Sequence, residues 1–154
     1  MAGAARALGA GRIKHLSTGT VSILRLHPGD PVTGAIEDAL RETYTRNAIV
    51  EFGIGSLSSA EFGVLPAKGP HKRVQVEGPV ELVSLGGLIV GAGSGGPYAP
   101  HLHIAIAGHD GIVKGGHLFS ATVGAAAEVG LLPLHDSRLR RVRDDQRELD
   151  LLEF

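Results

Sequence analysis

The chain has 154 residues, 43% of them hydrophobic and 20% charged, with 23 glycines, no cysteine and a formal net charge of −1. That length and balance suit one folded domain with a real core and exclude a disordered chain. Without cysteine there is no disulfide frame, thiolate ligand or thiol nucleophile, so a transition-metal site must use histidine and carboxylate. The near-neutral charge argues against holding bare nucleic acid through overall charge.

In chain order, residues 1–16 read as a flexible N-terminal arm. The start has no long apolar core before a cleavage site, and no apolar run approaches the ~20 residues of a membrane helix. A cytoplasmic protein that makes no membrane contact is the expectation. "TVSILRLHPGD" predicts a strand ending at Pro28-Gly29. Asp30 then precedes Pro31, a cap followed by proline at the first helical position. Val32, Ile36, Ala39, Leu40, Thr43 and Tyr44 form one apolar face, opposite Glu37, Asp38, Arg41 and Glu42. This spacing predicts an amphipathic helix over about 30–46, with Asn47 as its left-handed stop.

"AIVEFGIGSLSSAEFGVL" then reads as strand, glycine-rich bend and second strand. "KRVQVEG" alternates as a strand, and Gly78-Pro79 marks a turn. "VELVSLGGLIVG" is mostly strand, its central glycines pointing to a bulge or a close backbone approach. "GAGSGG" fits G-x-G-x-x-G at Gly91, Gly93 and Gly96, but Pro97 and Pro100 preclude the helix that a dinucleotide site needs. It reads as a mobile loop, a candidate lid. "HLHIAIA" is a strand, while "HLFSATVGAAAEVGLLPL" allows either a helix or a strand. The expected fold class is α+β: a domain over 17–135 with a mainly antiparallel sheet and one clear helix.

The charged C-terminal segment, 136–154, carries "RLRRVR" at 138–143, but Asp136, Asp144, Asp145, Glu148 and Asp150 balance it. It reads as a solvated tail or edge with local ion pairs. "HKR" at 71–73 reads as a polar loop.

"HLHIAIAGHDGIVKGGH" holds half of the eight histidines. On a strand, His101 and His103 share a face. "HDG" at 109–111 resembles a three-residue hairpin loop with glycine in the left-handed position. Centred on Asp110, that loop pairs 107 with 113, 105 with 115 and 103 with 117. His117 then lies across from His103, with His101 a diagonal neighbour, near enough for three imidazoles to meet on a zinc-like ion. A two-residue Asp110-Gly111 loop, or a bulge at Gly115-Gly116, would move His117 to the other face. His109 sits in the turn, solvated.

"RLHPGDPV", "GIGSLSSAEF", "EGPVELVSLGGLIVG", "PHLHIAIAGHDGIVKGGHL" and "AEVGLLPL" follow one another in this order over residues 20–134. Their order and spacing resemble the plants-and-prokaryotes-conserved domain, a family often labelled as candidate DNA-binding. The resemblance implies an α+β fold with a curved antiparallel sheet and a homotrimer. Free-standing prokaryotic members carry "PHxH" and "GGH", and some hold a metal ion, usually zinc, on those histidines. They map here to His101, His103 and His117. Plant members bind DNA through a separate AT-hook arm, and this sequence has no R-G-R-P core, so the label carries DNA contacts onto no residue here.

Three readings follow. The first is a trimeric, metal-binding regulatory protein that binds DNA weakly. The second is a metal-dependent enzyme acting on a small cytoplasmic metabolite bound near the ion, with Glu61 or Glu81 as candidate proton shuttles and no catalytic residue fixed by the sequence. The third is a ligand-binding or assembly module whose site is closed by a fourth protein ligand.

Overall fold

The structure is a computed structural model describing residues 14–17, 21–92, 96–135, 138–146 and 149–153. Its elements are β1 (Lys14–Ser17), β2 (Ser22–Leu26), α1 (Val32–Glu42), β3 (Asn47–Val64), β4 (Lys72–Gly91), β5 (Tyr98–Ala107), β6 (Val113–Leu134), β7 (Arg140–Asp144) and β8 (Leu149–Glu153). The first six strands form one antiparallel sheet in the order β1-β2-β6-β3-β4-β5. β5 also pairs with β6, so β6, β3, β4 and β5 close on one another. This is the expected α+β class, with a strongly curved sheet. β1 begins inside the arm expected over 1–16, and residues 1–13 lie outside the described residues.

Three strands are far longer than the sequence suggests. β3 runs unbroken for 18 residues through the expected bend. Register shifts against β6, one of them between Gly55 and Leu57, curve the strand and leave it continuous. β4 runs for 20 residues through Gly78-Pro79, the site of the expected turn. The opposite strand shifts register there, between Leu57 and Ser59, and a bulge is where a sheet tolerates a residue without an N–H. The ambiguous alanine-rich segment is strand throughout β6, because β2 and β3 pair with it from either side.

The helix is shorter than expected, and its ends use different devices. Pro31 stands at the N-cap with no side-chain cap, while Asp30 Oδ2 accepts the His27 N–H at 2.9 Å within the preceding turn. The chain leaves the helix at Thr43, whose Oγ1 donates to the Ala39 carbonyl at 2.8 Å. Tyr44, at φ 53°, takes the left-handed position expected of Asn47. Asn47 instead opens β3, fully buried, its Oδ1 accepting the Gly91 N–H at 3.2 Å. The buried face is Val32, Ala35, Ile36, Ala39 and Leu40, and Tyr44 is 97% exposed. Burying Val32, Ile36 and Leu40 stabilises the helix on the sheet by roughly 5–9 kcal/mol before chain entropy is counted.

The core includes Leu24, Val50, Leu57, Phe62, Leu85, Ile104 and Val129 alongside this helix face. Along β5, Leu102, Ile104 and Ile106 enter that core, so His101 and His103 point to the opposite face. No dinucleotide helix follows "GAGSGG", because the chain proceeds into β5; residues 93–95 of the expected lid lie outside the described residues.

Candidate metal centre

Local turn chemistry sets the register of the histidine hairpin. Gly111 donates its N–H to the Gly108 carbonyl at 2.9 Å and adopts φ 74°, which suits glycine. Asp110 Oδ1 accepts the Ile112 N–H at 3.0 Å, while His109 is exposed. The resulting ladder pairs Ala107 with Val113, Ala105 with Gly115 and His103 with His117, the register of the three-residue loop. No bulge intervenes at Gly115-Gly116.

On the other edge of β5, Leu102 pairs with Gly87, whose φ is 147°. A Cβ there would collide with the His101 carbonyl and crowd Leu102 Cα, both of them backbone. This is the close approach that the central glycines of β4 foreshadow. Gly87→Ala is expected to destabilise the protein by roughly 1–3 kcal/mol and to displace His101. Chemical denaturation checks the first effect, and the His101 ring signals in an NMR spectrum check the second.

The three rings converge. Centroid separations are 5.3 Å for His101–His103, 5.2 Å for His101–His117 and 5.5 Å for His103–His117. One nitrogen from each lies within 4.8 Å of the others. Two donors on a tetrahedral zinc ion at ~2.0–2.1 Å stand about 3.3 Å apart, and His101 Nε2 and His103 Nε2 are 3.3 Å apart. The same distance suits one imidazole donating to the other. The three imidazoles therefore form a group that could hold a metal ion, and the spacing of the His101–His103 pair fits one of zinc type.

Residues with no place in the sequence-predicted trio surround it. His71, just before β4, stacks on His117 with centroids 5.5 Å apart and 28° between the ring planes. Phe119 meets His117 edge-on at 5.4 Å, and the Arg73 guanidinium lies 4.1 Å above the Phe119 ring. Pairing brings them together, because Gly63 of β3 stands opposite both Arg73 and His117. A Cβ on Gly63 would press His71 Cβ at 2.9 Å and the Phe119 ring at 3.0 Å, so glycine admits that cluster.

Neither candidate carboxylate serves the trio directly. Glu61 Oε1 is held by Arg73 Nη1 at 2.6 Å. Glu81 pairs with Ala107, four residues along β5 from His103, or roughly 13 Å at ~3.3 Å per residue.

Burial is the main cause holding His101 below the ordinary imidazole range, followed by the charges of Arg141, His103 and His71. His117 is lowered by burial and then by His101, His103 and His71. In the unfolded chain these rings protonate near pH ~6.5; in the folded chain they do so only at lower pH. Their stabilising contribution is therefore complete above that value and is lost as pH falls from it through the depressed folded values. Metal-free protein is expected to unfold at lower urea concentration at about pH 5.5 than at about pH 7.5. A His101→Gln/His117→Gln double variant should reduce that difference, and an unchanged difference would contradict the assignment.

The C-terminal segment forms a separate two-stranded sheet, β7-β8. Two of its arginines meet carboxylates locally: Arg140 pairs with Glu153 at 2.7 Å, and Arg143 lies 3.9 Å from Asp145 and 3.8 Å from Asp150. These are the local ion pairs expected there. Asp136 and Glu148 lie outside the described residues.

A closed, curved sheet with three convergent histidines on a hairpin defines a class of small α+β proteins with a candidate metal centre. The chain belongs to the Plants and Prokaryotes Conserved (PCC) domain family, which matches residues 14–134. A metal-containing protein from Archaeoglobus fulgidus is similar at 33% identity and TM-score 0.76, over 90% of this chain and 96% of that one. A candidate DNA-binding protein from Bacteroides thetaiotaomicron shares the fold at TM-score 0.82 and 19% identity, over 94% and 99% of the two chains. A plant- and prokaryote-conserved protein from Pyrococcus horikoshii aligns at TM-score 0.73 and 24% identity, over 96% and 98%. Among curated proteins there is no significant match.

Proposed function

We propose that this chain is a metal-binding member of the family, that His101, His103 and His117 hold one divalent ion of zinc type, and that its activity resides there, on a small-molecule ligand. The carrying observation is the convergence of three imidazole nitrogens within 4.8 Å of one another. The metal-containing Archaeoglobus fulgidus relative supports the reading. Three protein ligands leave a position for water or a substrate oxygen, where a bound ion supplies Lewis acidity. The protein's part is to fix the three rings from two paired strands and to pack His117 between His71 and Phe119. Calorimetric titration of metal-free protein with zinc tests the proposal: one ion per chain is expected, and no saturable binding would refute it.

The working unit is proposed to be a homotrimer. Phe52, Ile54 and Val83 are 36%, 48% and 45% exposed. They lie on paired strands where Gly55 faces Leu82, which leaves a local apolar patch suited to self-association. Light scattering should return about three times the 15.9 kDa chain mass.

The second reading, a DNA-associated regulatory role, is supported by the candidate DNA-binding relatives. The local ion pairing of Arg140 and Arg143 weighs against it. Duplex DNA retained at ~150 mM salt would favour this role over the small-molecule one.

A further inference from the structure

We propose a second ligand site, for a small zwitterion of apolar α-amino-acid type, in a cavity at the turn end of the histidine hairpin. It is independent of the metal reading, because it opens on the other face of that hairpin. Ile106 and Lys114 oppose each other across β5 and β6, as His103 and His117 do, three positions away on each strand. Side chains alternate along a strand and opposed pairs share a face, so the two pairs point opposite ways. Lys114 therefore stands on the side that carries Ile106 into the core.

The sheet opens at this end. β4 pairs with β3 from Lys72 to Val90, but its pairing with β5 begins only at Glu81. Among the described residues, no strand pairs with the β5 side of β4 over 76–80. Between this stretch and the turn at 108–112 lies a cavity of about 490 Å³. Small-molecule sites commonly enclose ~300–1,000 Å³.

Its walls divide by chemistry. Val76, Val80 and Ile106 form an apolar floor, with Val80 and Ile106 buried. Ile112, an apolar side chain 56% exposed in the turn, adds a flank. Glu77 and Lys114 bring charges of opposite sign to the rim. Among the described residues, neither has an oppositely charged group within 4.0 Å, so they do not neutralise each other. His109 and Asp110 also line the cavity, but Asp110 serves the turn, its Oδ1 accepting the Ile112 N–H at 3.0 Å.

A ligand that satisfies this cavity carries a carboxylate for Lys114, an ammonium for Glu77 and an aliphatic group for the floor. Charge-assisted hydrogen bonds to both ends would fix its orientation. An α-amino acid with a branched apolar side chain has all three groups on one carbon.

NMR titration of isotope-labelled protein with L-leucine, with no metal added, tests this. Saturable shifts are expected at the amides of Gly108, Ile112 and Lys114. Leucinamide, which lacks the carboxylate, and isocaproate, which lacks the ammonium, should each bind about ten- to a hundredfold more weakly. Lys114→Gln should weaken leucine by a similar factor and leave leucinamide unchanged. Glu77→Gln should weaken leucine likewise and leave isocaproate unchanged. Both side chains are exposed, so the variants should keep the fold. The inference is overturned by any of four results: no saturable response to leucine, shifts confined to the three histidines, equal binding of either single-charge analogue, or variants that bind leucine as tightly as wild type. The metal reading stands or falls separately, on the zinc titration.

Discussion

His103→Ala is expected to abolish stoichiometric metal binding and leave the fold standing. His103 is the central member of the trio: it neighbours His101 on β5 and stands directly opposite His117 on β6. Four-ligand zinc sites bind with about 10–16 kcal/mol, so losing one imidazole should cost roughly 2.5–4 kcal/mol, about a hundred- to thousandfold in Kd. The side chain is exposed and lies on the face away from the core, so removing it should alter metal-free stability by less than about 0.5 kcal/mol. Thermal melts with and without zinc separate the two effects. Wild type should gain about 2.7 kcal/mol at a zinc concentration near 100 times Kd, and the variant almost nothing. An equal gain in both proteins would place the metal elsewhere.

Phe62→Ala is expected to be the most damaging single core truncation, costing about 3–5 kcal/mol. Phe62 is 1% exposed and is the largest fully buried side chain among the described residues. Its strand neighbours across the sheet are Val74 and Leu118, on β4 and β6. The residue also precedes Gly63, which positions Arg73 and His117, at a register shift between Glu61 and Phe62. The cavity would therefore open beneath the histidine cluster. Urea denaturation of metal-free protein should show a correspondingly lower midpoint, together with weakened zinc affinity from a loosened trio. A loss below about 1 kcal/mol would mean that the sheet collapses easily around the gap.

The two halves of the molecule differ in what the sequence discloses. The histidine register is legible because it depends on five adjacent residues, Gly108 to Ile112, whose turn chemistry is local. The helix is legible from its apolar spacing, but its ends are not. Asp30 is drawn to His27, Asn47 into the sheet, and Tyr44 takes the left-handed stop. Glycine and proline in β3 and β4 read as breaks, yet neighbouring strands hold the backbone through them as bulges. The alanine-rich end of β6 has no strong preference of its own between helix and strand, and pairing on both sides makes it strand.

The surroundings of the trio are hidden for a related reason. His71 and Arg73 stand some thirty residues before His101 and read as a polar loop. Only the long β3-β4 and β3-β6 ladders carry them to His117 and Phe119. Arg141 belongs to a segment whose balanced charge suggests a solvated tail, yet its charge is among the causes that hold His101 below the ordinary imidazole range. No spacing rule within the sequence links these positions to the histidine hairpin.

Whether three histidines hold one resident ion is tested most directly by elemental analysis of protein purified without added metal. About one zinc-type divalent ion per chain is expected in the wild type and none in His103→Ala. A wild type free of metal, or a variant carrying as much as the wild type, would contradict the three-histidine centre.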